Sequence, residues 1–236
     1  MSRRLVRVEG APRDIAAAKG ALNSGEVQIV EVGDENYLEA PGITSAPDAA
    51  AAREYAEILF RRLTGLLRVE VGLRGPLTAG AVVEFDDDGT KHAFVFEHAQ
   101  AAFAVTISGQ ATIDGVPVPA TKRPLDVGLE QLGDAYVARV LDLLAEQPDW
   151  MSLYKVLDVI EDSVGGERAL EAKGWVPATS LKRLTLTANA IETAASGGRH
   201  ATGKYSLAKS RLRPLPLDEA WVVVRQMVRS WLMTRA

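Results

Sequence analysis

The chain has 236 residues, 47% of them apolar and 25% charged, with a formal net charge of −4. This is the composition of a globular protein with room for one large domain or two small ones and a core that needs no staples. It contains no cysteine and three histidines, which excludes disulfides, thiolate metal sites and a cysteine nucleophile and argues against a His-rich metal centre.

The opening stretch MSRRLVRVEG carries basic residues but no apolar run of signal-peptide length. No window approaches 18 uninterrupted apolar residues, so the expectation is a cytoplasmic protein with no membrane span, no metal and no cofactor. Residues 26–32 (EVQIVEV) alternate, with Val27, Ile29 and Glu31 on one face and Gln28, Val30 and Val32 on the other. They predict a strand buried on both sides. Residues 48–64 change period. Tyr55, Ile58, Leu59 and Leu63 recur at helical spacing behind Asp48, a good cap residue.

Alternation resumes in VEFDDDGTKHAFVFEH. Val83 and Phe85 precede Asp88-Gly89, and Phe94 and Phe96 follow it, which is the pattern of a hairpin. AAFAVTISGQATIDG predicts a further strand. The three-proline segment 114–126 is a linker or crossover.

Beyond residue 126 the pattern is helical. One stripe runs through Leu129, Leu132, Tyr136, Val140, Leu143 and Leu144, and a second through Trp150, Leu153, Tyr154, Leu157 and Ile160, ending at Gly165-Gly166. A short helix follows at 167–173. Another opens at Pro177, with Leu181, Leu184, Ala188 and Ile191 as its stripe. The last carries Leu217, Trp221, Val224, Met227 and Trp231, with Asp218 and Glu219 in its first turn. The predicted fold class is α+β. An N-terminal domain (1–120) has a mostly antiparallel sheet with one or two helices, and a C-terminal domain (126–236) is an all-α bundle of four or five helices.

The segment SGGRHATGKYS, residues 196–206, resembles a phosphate-binding loop in seven of eight positions. Tyr205 stands where a Ser or Thr should bind magnesium, and no strand precedes Gly198. A phosphate loop needs that strand, so the motif is set aside. A second reading takes the polar stripe Thr185, Asn189, Glu192 and Ser196 leading into Arg199 and His200. An arginine and a histidine beside a carboxylate can stabilise an anion and move a proton. A third reading is electrostatic. Between Glu192 and Asp218 there is no acidic residue, while Arg199, Lys204, Lys209, Arg211 and Arg213 all fall there with Tyr205 among them. A basic segment with an aromatic suits an RNA backbone, and it equally suits an acidic protein surface.

The series LYKVLDVIED, AKGWVPATSLKRLTLTAN, GGRHA and PLPLDEAWVVVRQMVRSWL resembles bacterial proteins whose helical C-terminal halves are similar to HEPN-type domains of toxins and antiphage systems. The resemblance covers roughly residues 128–234. It implies a homodimer through the helical domain and metal-independent RNA cleavage by an Arg followed four to six residues later by a His. Here Arg199 and His200 are adjacent, and no other Arg has that spacing to a His.

The leading expectation is therefore a recognition protein whose basic segment 197–213 contacts a partner through Lys204, Tyr205, Lys209, Arg211 and Arg213. The alternatives are a HEPN-like ribonuclease using Arg199, His200, Asn189 and Glu192, and a structural scaffold. His92 and His98, six apart on one predicted strand, lack a third metal ligand.

Overall fold

The computed structural model describes residues 3–86, 90–96, 112–113, 116–117, 128–190 and 212–235. The fold is α+β, with an antiparallel five-stranded sheet in the N-terminal half and a mostly helical remainder. Two compact units are formed. One comprises Met1–Ser108 with Ala120–Asp134, and the other Gly109–Pro119 with Ala135–Ala236.

The first unit is organised by its N-terminal strand β1 (Arg3–Glu9), which lies in the middle of the sheet. Helix α1 (Pro12–Ala21) follows, then the hairpin of β2 (Gln28–Val32) and β3 (Glu35–Glu39). A short helix α2 (Pro41–Thr44) and the long helix α3 (Ala49–Glu70) lead to β4 (Thr78–Phe85) and β5 (Lys91–Phe94), and α4 (Leu129–Gly133) completes the unit. The strand order is β2-β3-β1-β4-β5. The expected hairpin forms, with Val83 opposite Ala93 and Phe85 opposite Lys91.

Ile29, Leu38, Val6 and Val82 stand opposite one another across four strands and are buried. The helices lie on this face. The guanidinium of Arg4, two residues before Val6, donates to the Ala46 carbonyl between α2 and α3, and Lys19 of α1 pairs with Glu31 beside Ile29. The opposite face holds a smaller cluster of Leu5, Tyr37, Ala81 and Val83, flanked by Val30, Val32 and Phe85.

Long charged side chains fringe that cluster. Arg3 grips Glu39 with two bonds of 2.9 and 2.8 Å. Glu35 accepts from Lys91 at 2.5 Å, from the Tyr37 hydroxyl at 2.6 Å and from Arg7 at 3.3 Å. These bonds, that from Lys91 first, hold the Glu35 carboxyl at about 2. Lys91 and Glu35 come from strands separated by β1 and β4, so their pair lies across the cluster like a strap.

The elements differ from the sequence pattern in three places, each with a physical cause. The helix expected over 48–64 continues to Glu70 because Gly65 is tolerated inside a buried helix, and Leu66, Leu67 and Val69 are buried beyond it. Its buried stripe is Ala52, Ala56, Leu59, Phe60 and Leu63, while Ile58 is exposed. Strand β2 is the sheet edge, so Val30 and Val32 are only half-buried instead of covered on both sides. The single helix expected from Leu129 breaks at Asp134, whose ψ of 130° is extended. Helix α5 (Ala135–Leu144) then buries Val137, Val140, Leu141 and Leu144 and leaves Tyr136 exposed.

In the second unit α5 and α6 (Trp150–Val164) pack together, and α6 also carries α7 (Glu167–Lys173), α8 (Ala178–Asn189) and α9 (Leu217–Leu232). Helix α6 starts with a capping box between Asp149 and Ser152 and stops at Gly165 (φ 95°), which takes the left-handed conformation that ends helices. Trp231 is fully buried, and its indole N–H donates to Ser163 at 3.0 Å. Trp221, expected as a second core anchor, is only partly buried. Residues of the proline-rich segment 114–126 contribute a two-residue strand, β7 (Val116–Pro117), paired with β6 (Thr112–Ile113).

Asp14 tests how the first unit is held. Its buried carboxylate accepts the backbone N–H groups of Arg74 (3.1 Å) and Gly75 (2.9 Å), tying the first turn of α1 to the approach to β4. Asp14→Ala leaves two donors without their acceptor and is expected to cost about 3 kcal/mol in urea unfolding. A loss below about 0.5 kcal/mol, typical of surface changes, contradicts this role.

Candidate functional site

Helix α8 leads into the basic segment in the sequence. Pro177 opens this helix, and Leu181, Leu184 and Ala188 bury its apolar side. The helix ends at Asn189, because Ala190 is extended (φ −74°, ψ 145°). Of the polar stripe expected over Thr185, Asn189, Glu192 and Ser196, Thr185 and Asn189 lie on α8, and Glu192 and Ser196 lie outside the described residues. Asn189 is 7% exposed, and among the described residues its Oδ1 has no hydrogen-bond partner.

The chain returns to the same helix. The N–H of buried Leu215 donates to Thr187 Oγ1 at 3.0 Å, and that hydroxyl donates to the Arg183 carbonyl at 2.8 Å. Arg183 reaches over with Nε to the Arg213 carbonyl (2.8 Å) and Nη2 to the Pro214 carbonyl (3.4 Å). Its guanidinium also lies 3.5 Å from Glu219. Pro214 and Pro216 have no N–H to donate, and the Arg183 and Thr187 side chains of α8 pair with the Arg213 and Pro214 carbonyls and the Leu215 N–H that the stretch does offer. The described residues that flank 191–211, Ala190 and Arg213–Leu215, are thus both held on α8.

Of the expected site residues, Asn189 and Arg213 are among those described. Asn189 lies buried where the segment leaves, and Arg213 is exposed where it returns. Glu192, Arg199, His200, Lys204, Tyr205, Lys209 and Arg211 lie outside the described residues. The sequence reading missed Arg183 and Thr187, which position the returning stretch. Their i, i+4 spacing on α8 was the available signal.

Other groups of the described residues are structural in character. His92 Nε2 lies 2.9 Å from Asp86 at the mouth of the hairpin, while His98 lies outside the described residues. Among the described residues no group of three or more His, Cys, Asp or Glu could hold a metal ion, and no helix is long and apolar enough to cross a membrane.

A groove of about 350 Å³ between α5 and α6 is lined by Ala135, Tyr136, Arg139, Asp158, Val159 and Asp162. The Tyr136 hydroxyl donates to Asp162 at 2.9 Å, and Arg235 lies over the Tyr136 and Trp231 rings. Glu161 stands beside Asp162 in the sequence of α6, and partial burial and the neighbouring carboxylates Asp158 and Glu167 raise it to about 7. No family model, curated protein or solved structure matches the chain.

The Glu161 shift has a defined sign. Its folded value lies above the ordinary 4.5, so the folded state holds the proton more tightly. The resulting stabilisation is complete below about 4.5 and is lost as pH rises through about 7. Glu161→Gln is expected to raise the melting temperature at pH 8 and to match wild type at pH 4.5. An equal effect at both pH values contradicts the assignment.

Proposed function

We propose that this is a recognition protein whose helical unit presents segment 197–213 to RNA. The observation that carries the reading is that the residues flanking 191–211 are held on α8, through Ala190 on one side and through Arg183 and Thr187 to Arg213 and Leu215 on the other. Anchored ends lower the entropy cost of ordering a segment when it meets a partner. The anchored stretch holds Arg199, Lys204, Lys209 and Arg211, with Arg213 at its exit and no carboxylate between Glu192 and Asp218. Attraction to phosphate is therefore local, within a chain whose net charge is −4. Tyr205 in the same stretch offers a stacking face for a base.

Cleavage is the second use the same segment allows. Arg199 would stabilise the charged phosphate and His200 would serve as acid or base, with Asn189 and Glu192 orienting them. The buried amide oxygen of Asn189, unpartnered among the described residues where the segment leaves α8, favours this role for Asn189.

Fluorescence anisotropy with labelled oligouridine in EDTA scores the binding reading. Simultaneous Lys209→Glu, Arg211→Glu and Arg213→Glu substitutions are expected to weaken binding. The slope of log affinity against log salt should shrink by about 0.7 for each phosphate that the variant no longer neutralises. Unchanged affinity and slope contradict the reading, and binding of polyglutamate in place of RNA assigns the segment to an acidic protein surface. Product formation by wild type, abolished in a folded His200→Ala variant, establishes cleavage.

A further inference from the structure

A short turn at the other end of α8 adds the chemistry that a basic segment lacks. Helix α7 ends at Lys173, and Gly174 (φ 63°) reverses the chain in the left-handed conformation. Trp175 follows, then buried Val176 and Pro177, which starts α8. The carbonyl of Trp175 is held by Gln226 Nε2 of α9 at 3.0 Å, and the Lys173 ammonium lies 6.0 Å from its ring centroid. Of the four tryptophans, Trp150 and Trp231 are buried in the unit's core, whereas Trp175 and Trp221 are both partly exposed, and Trp175 is the one set in this braced turn.

We propose that Trp175 is a stacking platform for a base of single-stranded RNA, whose backbone follows α8 past Lys182 toward Arg213. This inference rests on the reading given under Proposed function. Helix α8 has 12 residues and so is about 18 Å long, a strand's reach instead of a single contact.

Lys182 points toward the α7 side, where its exposed ammonium lies 3.4 Å from the half-buried Glu171. Such a pair is weakly held, so a phosphate can take the ammonium from it. Arg183 is already engaged by the Arg213 and Pro214 carbonyls and so positions the path instead of touching phosphate. A braced aromatic with a neighbouring cation, followed by spaced basic residues, is the arrangement that binds single strands without reading sequence. A paired base cannot present its face to the indole, which selects single-stranded over duplex RNA.

The test titrates wild type, Trp175→Ala and Trp175→Phe with oligouridine and with a duplex RNA at several salt concentrations, reading anisotropy and tryptophan fluorescence. Trp175→Ala is expected to weaken oligouridine binding about 5- to 150-fold, the range of one base stack removed, without altering the salt slope. Trp175→Phe should restore most of the affinity. Oligouridine should quench wild-type tryptophan fluorescence, and Trp175→Phe should lose that quench.

Wild-type affinity in Trp175→Ala, with binding still abolished by charge reversal in segment 197–213, overturns the platform and leaves the basic segment standing. Absence of RNA binding in wild type overturns both. If Trp175→Ala fails to unfold cooperatively, the Phe variant decides, and an unchanged quench in it overturns the platform.

Discussion

The hydrogen bond from Leu215 to Thr187, with the Arg183 guanidinium spread over the Arg213 and Pro214 carbonyls, is the constraint on which the functional architecture depends. Prolines at 214 and 216 have no N–H to give and leave Leu215 as the donor between them. The stretch is therefore fastened by side chains of α8, and Leu215 is buried as an apolar peg beside them. Because the departing end is fixed at Ala190 on the same helix, the basic segment between them has two fixed roots. Helix α8 also begins three residues after Trp175, so one short helix sets the spacing from the platform to Ala190.

The first unit solves a different problem. Its sheet is buried on the helix face by a broad apolar layer and on the other by four residues and a fringe of ion pairs. Exposed pairs contribute little individually, but Arg3 with Glu39 is bidentate, and Glu35 gathers Arg7, Tyr37 and Lys91 into a network. The aliphatic stems of such side chains cover apolar surface while their charged ends stay in water. This accounts for a charged sheet face over a Tyr37 that is fully buried.

Much of this fold was legible because long periodic runs leave few alternatives. The hairpin around residues 83–94, the short helix at 167–173, the stop at Gly165 and the last helix all follow from period and punctuation. The central strand β1 was not recognised from its sequence. Its RRLVRVE pattern mixes charged and apolar residues because the far face is fringed by ion pairs, so alternation is blurred. The break at Asp134 was hidden because the apolar spacing continues across it while the backbone does not. For the site, the basic composition of 197–213 was plain. Its anchoring was not, because it depends on Arg183 and Thr187, some 30 residues earlier, meeting carbonyl and N–H groups of a proline-rich stretch.

The most direct measurement of the central claim is ultraviolet cross-linking of the intact protein to oligouridine, with the attached peptides identified by mass spectrometry. The account expects cross-links on the peptides carrying Tyr205 and Trp175, disappearing together at high salt because both depend on one bound strand. Cross-links confined to residues 3–96, or none under conditions in which a known single-strand binder is labelled, contradict it.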